Sequence, residues 1–271
     1  MTRLAGRSGA SGRIGTAEAF QEAFGVSRET LDRLKTYEAL LKAWQRTINL
    51  VSPATLDDVW HRHFADSAQL LELALSEAPS PPPCGEGPAT GGAPTADVLE
   101  PPAPSLPHKG GGKVPGGLGQ GGKSWLDLGS GAGFPGLVLA IMLAERDPEV
   151  RMTLVESDSR KAAFLGEVAR KTGVAVEIRA ERSEKAATQA KSQIRDVITA
   201  RALAPLPKLL GLALPFFSPQ TVALFPKGRE AEVEIGEARE RFDFDCKLAS
   251  SLTDGEARIV IVRNLAVKAE G

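Results

Sequence analysis

The stretch WLDLGSGAGFPG, residues 125–136, constrains this 271-residue chain more than any other part of its sequence. Trp125 to Leu128 reads as the end of a buried strand, and Leu137, Val138, Ile141 and Met142 read as the apolar face of a helix. A glycine-rich turn between strand and helix lets a ligand approach the backbone, where the first N–H groups of the helix are unpaired. Read from Gly131, the turn also satisfies G-x-G-x-x-G through Gly133 and Gly136. That pattern is shared by several cofactor classes, so the choice among them rests on the remainder of the chain.

Strands and helices alternate after this turn. The segments 152–157, 175–180, 196–201 and 221–228 read as strands, with helices over 160–171, 206–214 and 229–241. FDFDCKLASS and ARIVIVRN close the chain as two strands around Thr253-Asp254-Gly255, an Asp-Gly hairpin signal. The expected fold is α/β, a doubly wound, mostly parallel sheet with a C-terminal antiparallel hairpin. A helical extension precedes it. Ser27 is placed to cap a helix carrying Leu31, Leu34, Tyr37, Leu41, Trp44 and Ile48, and residues 49–53 break it. A second helical pattern runs through Leu56, Val59, Trp60, His63, Ser67, Leu70 and Leu71.

Two segments fall outside these patterns. Residues 79–123 hold 23 Pro or Gly in 45 positions and show no apolar period, so they read as a disordered surface insertion. Cys84 and His108 lie in it, which makes both poor candidates for chemistry. Residues 1–23 read as a disordered tail, 24–78 as a helical segment packed on the core, and 124–271 as the Rossmann-like core. No run of about 18 apolar residues suggests a membrane span. The two cysteines, Cys84 and Cys246, suggest neither a disulfide framework nor a metal site, and the chain reads as cytoplasmic. A net charge of −1 argues mildly against a nucleic-acid partner but leaves room for a local basic face.

Two acids narrow the ligand. Glu156 ends the second strand, 25 residues after Gly131, where an acid grips a ribose diol. Dinucleotides and adenosyl cofactors both carry that diol. Asp127 lies two residues before Gly129, beneath the turn, where an anion repels a pyrophosphate and favours a ligand bearing an ammonium and a sulfonium. Asp127 also reads as a cap for the N–H groups of the turn itself, which is compatible with either ligand.

With these residues placed, the chain resembles the Rossmann-like class I methyltransferases. Within them it is similar to the bacterial small-subunit ribosomal RNA methyltransferase G family, once called glucose-inhibited division protein B. The likeness rests on INLVS (48–52), HRHFADS (61–67), LDLGSGAGFPG (126–136), TLVESDSRKAAFL (153–165), ARAL (200–203) and PKG (226–228). It implies transfer of a methyl group from S-adenosylmethionine to N7 of one guanine in 16S rRNA, with the RNA or the small ribosomal subunit as partner; the chain itself reads as a monomer. It also implies cofactor contacts at Gly129, Phe134, Ser183, Glu184 and Arg201, beside Asp127, Gly131, Gly133 and Glu156. The Pro/Gly insertion departs from the family pattern, and the stretch after Glu184 is long for it.

Guanine N7 is an unprotonated sp² nitrogen at neutral pH, so the implied reaction needs no general base. Positioning carries it instead, and no catalytic acid or base is assigned. Arg201 stands at the carboxyl end of a strand, where it reads as a cofactor or RNA ligand or as half of a salt bridge. His63 falls on an apolar helix face, which reads as a packing histidine ahead of a catalytic one. Arg160, Lys161, Lys208, Lys227 and Arg229 come near strand ends, where Arg160, Lys161, Lys227 and Arg201 are candidates to track RNA phosphates. Two alternatives remain: an NAD-dependent oxidoreductase using the same turn, and a non-catalytic adenosyl-nucleotide or RNA-binding module.

Overall fold

Seven strands form one sheet in the order β3-β2-β1-β4-β5-β7-β6 in a computed structural model that describes residues 12–77, 123–190 and 193–269. Strands β1 (Ser124–Leu128), β2 (Arg151–Glu156), β3 (Val176–Ala180), β4 (Val197–Thr199) and β5 (Val222–Lys227) are parallel. β6 (Phe242–Ser250) and β7 (Arg258–Val267) add the antiparallel edge. The residues between β6 and β7 make a seven-residue loop over 251–257, longer than a two-residue Asp-Gly turn. Asp254 organises it, accepting from Glu256 N at its side chain and from Ala257 N at its carbonyl.

Each central strand sends alternate side chains to two cores. From β1, Trp125 enters a core shared with α1 (Ala17–Phe24), α2 (Arg28–Trp44), α4 (Asp66–Ser76), α5 (Gly136–Arg146) and α6 (Ser159–Thr172), while Leu126 and Leu128 enter the core opposite. That second core holds α7 (Ser183–Thr188), α8 (Leu206–Ala213) and α9 (Ala231–Ala238). The order reverses between β1 and β4, so the turn after β1 opens at the switch point of the sheet.

The N-terminal helices deviate from the sequence reading in three places. α1 lies where a disordered tail was expected through residue 23: Thr16 caps it, and Phe20 is fully buried against Phe24 and Trp60. Residues 1–11 lie outside the described residues, as does the insertion up to residue 122. α2 starts at the expected Ser27 cap, whose side chain accepts from Thr30 N, but ends at Trp44 rather than Ile48. The second helical pattern divides into a short α3 (Pro53–Leu56), a π-helix (Trp60–Ala65) and α4. Among the described residues no helix is long and apolar enough to cross a membrane.

Candidate active site

Four glycines in the turn after β1 meet four different surroundings. A Cβ on Gly129 would lie 2.5 Å from Leu203, and one on Gly133 would press on Tyr37, Leu137 and Leu165. A Cβ on Gly136 would lie 2.6 Å from that of Asp127. Only Gly131 is open: at φ +58° its Cβ would meet nothing nearer than the Gly129 carbonyl at 3.9 Å. Gly131 borders a cavity of about 410 Å³ lined also by Gly129, Phe134, Glu156, Lys161, Ser183, Glu184 and Arg201.

Asp127 does not line this cavity. Its β1 position is in register with Thr199 on β4, so the two side chains share a face, and Thr199 Oγ1 donates to Asp127 Oδ1 at 2.7 Å. Oδ2 accepts from Gly136 N, at the start of α5, at 3.2 Å. Burial pushes this carboxyl up to about 6, against those two hydrogen bonds, which pull it down. The expected contact between Asp127 and a bound cofactor is therefore replaced by the capping role: it ties the turn to the neighbouring strand.

Glu156 is buried at the cavity wall and holds the turn from the other side. One oxygen accepts from Gly131 N and the other from Asp158 N, both at 2.7 Å, and each keeps a lone pair for a hydroxyl. Ser183 is buried at the start of α7, and Glu184 beside it pairs with Lys208 at 3.2 Å. Leu50 and Val51, from the break after α2, form a further wall. Sequence reading gave these two no role, although apolar residues in a break between helices are a usable signal.

Arg201 stands between two cavities. The second, of about 610 Å³, shares the wall 201–204 with the first and is lined also by Arg62, His63, Asp66, Lys227, Thr253 and Asp254. Arg201 pairs with Asp66 at 3.0 Å and lies 5.2 Å from the centre of the Phe134 ring. Phe134 stacks on both Tyr37 and His63, and the Tyr37 hydroxyl donates to the Ala132 carbonyl. Ala202 takes a left-handed backbone, φ 51°, in the shared wall, a costly conformation that its surroundings must enforce.

The basic candidates separate. Lys161 lines the first cavity, and Arg160 is exposed beside Asp158. Lys227 is corrected: its ammonium donates at 2.7 Å to the Ala204 carbonyl and to Glu234, and its side chain is only 10% exposed. It braces the wall 201–204 rather than facing a phosphate. Arg62, which sequence reading passed over, lines the second cavity with a half-exposed side chain paired loosely to Asp254.

Fold and site together define a class, the Rossmann-like methyltransferases that use S-adenosylmethionine. Residues 117–261 match the family model described as rRNA small subunit methyltransferase G. The chain is 42% identical over 249 residues to ribosomal RNA small subunit methyltransferase G of Parvibaculum lavamentivorans, covering 92% of this chain and 89% of that protein. It is 44% identical over 250 residues to the protein of the same name from Rhodospirillum centenum, covering 92% and 91%. It belongs to the rRNA small subunit methyltransferase G family.

Proposed function

We propose that this enzyme methylates N7 of a guanine in 16S rRNA, with S-adenosylmethionine held in the cavity at Gly131 and the guanine entering from the second cavity. One observation carries this reading: two cavities adjoin along residues 201–204 at the carboxyl ends of the central strands, so a base entering the second can reach a methyl group presented at the border of the first. When bound, S-adenosylmethionine supplies a methyl group on a sulfonium. The open face of Gly131 is the feature that fits it, since this is where a Cβ would stand in the cavity.

The chain's own residues do the holding. Glu156 accepts from the ribose diol with the lone pairs that its two backbone bonds leave free. Gly129, Phe134, Ser183 and Glu184 close the cavity around the rest of the molecule. Arg201 offers a planar fork to the cofactor carboxylate or an RNA phosphate. Arg160 and Lys161, joined by Arg62, meet phosphates beyond the target base. The reaction forms a bond from the N7 lone pair to the methyl carbon as the carbon–sulfur bond breaks toward sulfur, so no side chain needs to carry a proton.

The test is methyl transfer from radiolabelled S-adenosylmethionine to 16S rRNA and to small ribosomal subunits, followed by mapping of the modified base. Label at guanine N7 of one position is the expected result. Label at another atom or in another RNA overturns the substrate assignment, and calorimetric binding of NAD at the same site overturns the cofactor assignment.

A further inference from the structure

Three acceptors from one short helical stretch converge on Arg201. Nη1 donates to the Arg62 carbonyl at 3.2 Å and to Asp66 Oδ2 at 3.0 Å, and Nη2 lies 2.9 Å from His63 Nδ1. In a regular α-helix the N–H of residue 66 would already occupy one lone pair of the residue 62 carbonyl. Here the helix widens to a π-helix over Trp60–Ala65, and the N–H of Asp66 goes to the His63 carbonyl instead. The Arg62 carbonyl is thereby available to a guanidinium. Widened turns of this kind recur at functional sites.

The two side chains are themselves fixed. Arg201 can only donate, so Nδ1 of the neutral ring accepts from it and the proton sits on Nε2, which donates to Thr55 Oγ1 at 2.8 Å. Burial and the facing Arg201 guanidinium hold the imidazole neutral, lowering its pKa to about 3, with Arg62 acting in the same direction and Asp58 opposing. Asp66 directs its second oxygen to Thr253 Oγ1 at 2.8 Å and Gln69 Nε2 at 2.9 Å. The loop between β6 and β7 therefore braces the carboxylate that braces the arginine.

We propose that His63 and Asp66 are positioning residues for Arg201, fixing its guanidinium at the wall between the two cavities. The proposal rests on the reading above that Arg201 meets the ligands. Three of the five guanidinium N–H groups are committed to the helical stretch, which leaves two for whatever the cavities hold. Such an arrangement explains why a histidine on an otherwise apolar helix face has both ring nitrogens hydrogen-bonded.

The test is a double-mutant cycle on methyl-transfer kcat/KM and on S-adenosylhomocysteine affinity, with thermal melting to establish the folded fraction. His63→Gln removes the Nδ1 acceptor, His63→Asn returns an acceptor near the same place, and Asp66→Asn removes the charge. His63→Gln and Asp66→Asn should each lower kcat/KM roughly ten- to a hundredfold. His63→Asn should recover most of the loss. Combined with Arg201→Ala, neither His63→Gln nor Asp66→Asn should lower the rate further by more than about threefold, because both act through the residue already removed. Losses that multiply with Arg201→Ala, or equal losses for His63→Asn and His63→Gln, would overturn the proposal. If the wild-type enzyme labels no guanine N7, the functional reading fails. The cycle is then read on S-adenosylhomocysteine affinity, where non-additive losses support the clamp and additive ones overturn it.

Discussion

Gly131 offers a clean separation of backbone strain from ligand contact, because a matched control exists in the same chain. Gly131 stands at φ +58° and Gly173, which caps α6, at φ +67°; neither Cβ would meet an atom closer than 3.9 Å. Valine at either position forces an L residue into the left-handed region at a cost of about 1–2 kcal/mol. For a domain of this size that lowers Tm by roughly 2–8 °C. The two differ only in what lies in front of the new side chain. At Gly173 it is solvent, and at Gly131 it is the cavity of about 410 Å³. An isopropyl group there occupies volume that the cofactor must fill, and a hundredfold loss of affinity is about 2.7 kcal/mol. Calorimetry with S-adenosylmethionine and S-adenosylhomocysteine, beside thermal melts, reads both quantities. Gly131→Val should melt like Gly173→Val and bind at least about a hundredfold more weakly, while Gly173→Val binds within about threefold of wild type. A folded Gly131→Val protein with wild-type affinity would remove the site from this turn, and equal binding losses in both variants would show that strain alone is responsible.

Arg201→Ala should lower methyl transfer about ten- to a hundredfold and stability by only about 1–2 kcal/mol, since Asp66 keeps Thr253 and Gln69 as donors, and Arg201→Lys should recover little; a melted Arg201→Ala protein with unchanged specific activity would mark the residue as structural. Asp127 has a folded-state pKa near 6, above its ordinary value of 3.8, so the folded protein binds this proton more tightly and stability falls as pH rises from about 4 to about 6, by about 3 kcal/mol in all. His63, whose pKa is lowered to about 3, contributes a rise over the same window, so the test is the difference between two denaturant titrations. Wild type should lose stability relative to Asp127→Asn as pH rises from about 4 to about 6, and parallel profiles would mean that the carboxyl titrates normally. Deleting residues 80–122 should leave Tm and methyl transfer close to wild type, because a composition so rich in Pro and Gly supplies little apolar surface to bury, and a shortened chain that fails to fold would show that the segment is structural.

The parallel sheet was legible because its cues are local. Apolar runs bounded by glycine, and helices of regular period between them, place β1 to β5 within a residue or two. Glu156 and Gly131 were equally legible, since strand end and turn fix them by spacing alone, and both border the cavity. Asp127 was legible in position but not in orientation. Its partner Thr199 lies 72 residues away, and only strand register reveals that the two share a face. Lys227 was misplaced for the same reason: a lysine at a strand end looks solvated until Glu234, one helix later, returns beside it. The π-helix escaped because the helical period through Val59, Trp60, Ser67 and Leu70 hardly registers one widened turn, and α1 escaped because an Arg- and Gly-rich beginning masks a Thr16 cap.

The last two misses both lie in the helices before the sheet, which bears on how the site is built. Sheet and turn supply the cavity, and further braces come from the segment before the sheet. Tyr37 on α2 holds the Ala132 carbonyl and stacks on Phe134; His63 and Asp66 hold Arg201; Leu50 and Val51 form a wall. All of these precede residue 117, where the match to the family model begins, and none is fixed by a short spacing to the glycines. A strand-turn-helix cradle alone leaves Arg201 without the partners at Arg62, His63 and Asp66 that restrict its rotamers, and ordering a free arginine costs up to about 2 kcal/mol of side-chain entropy. On the proposed role of Arg201, the N-terminal segment meets that cost during folding rather than at the binding step.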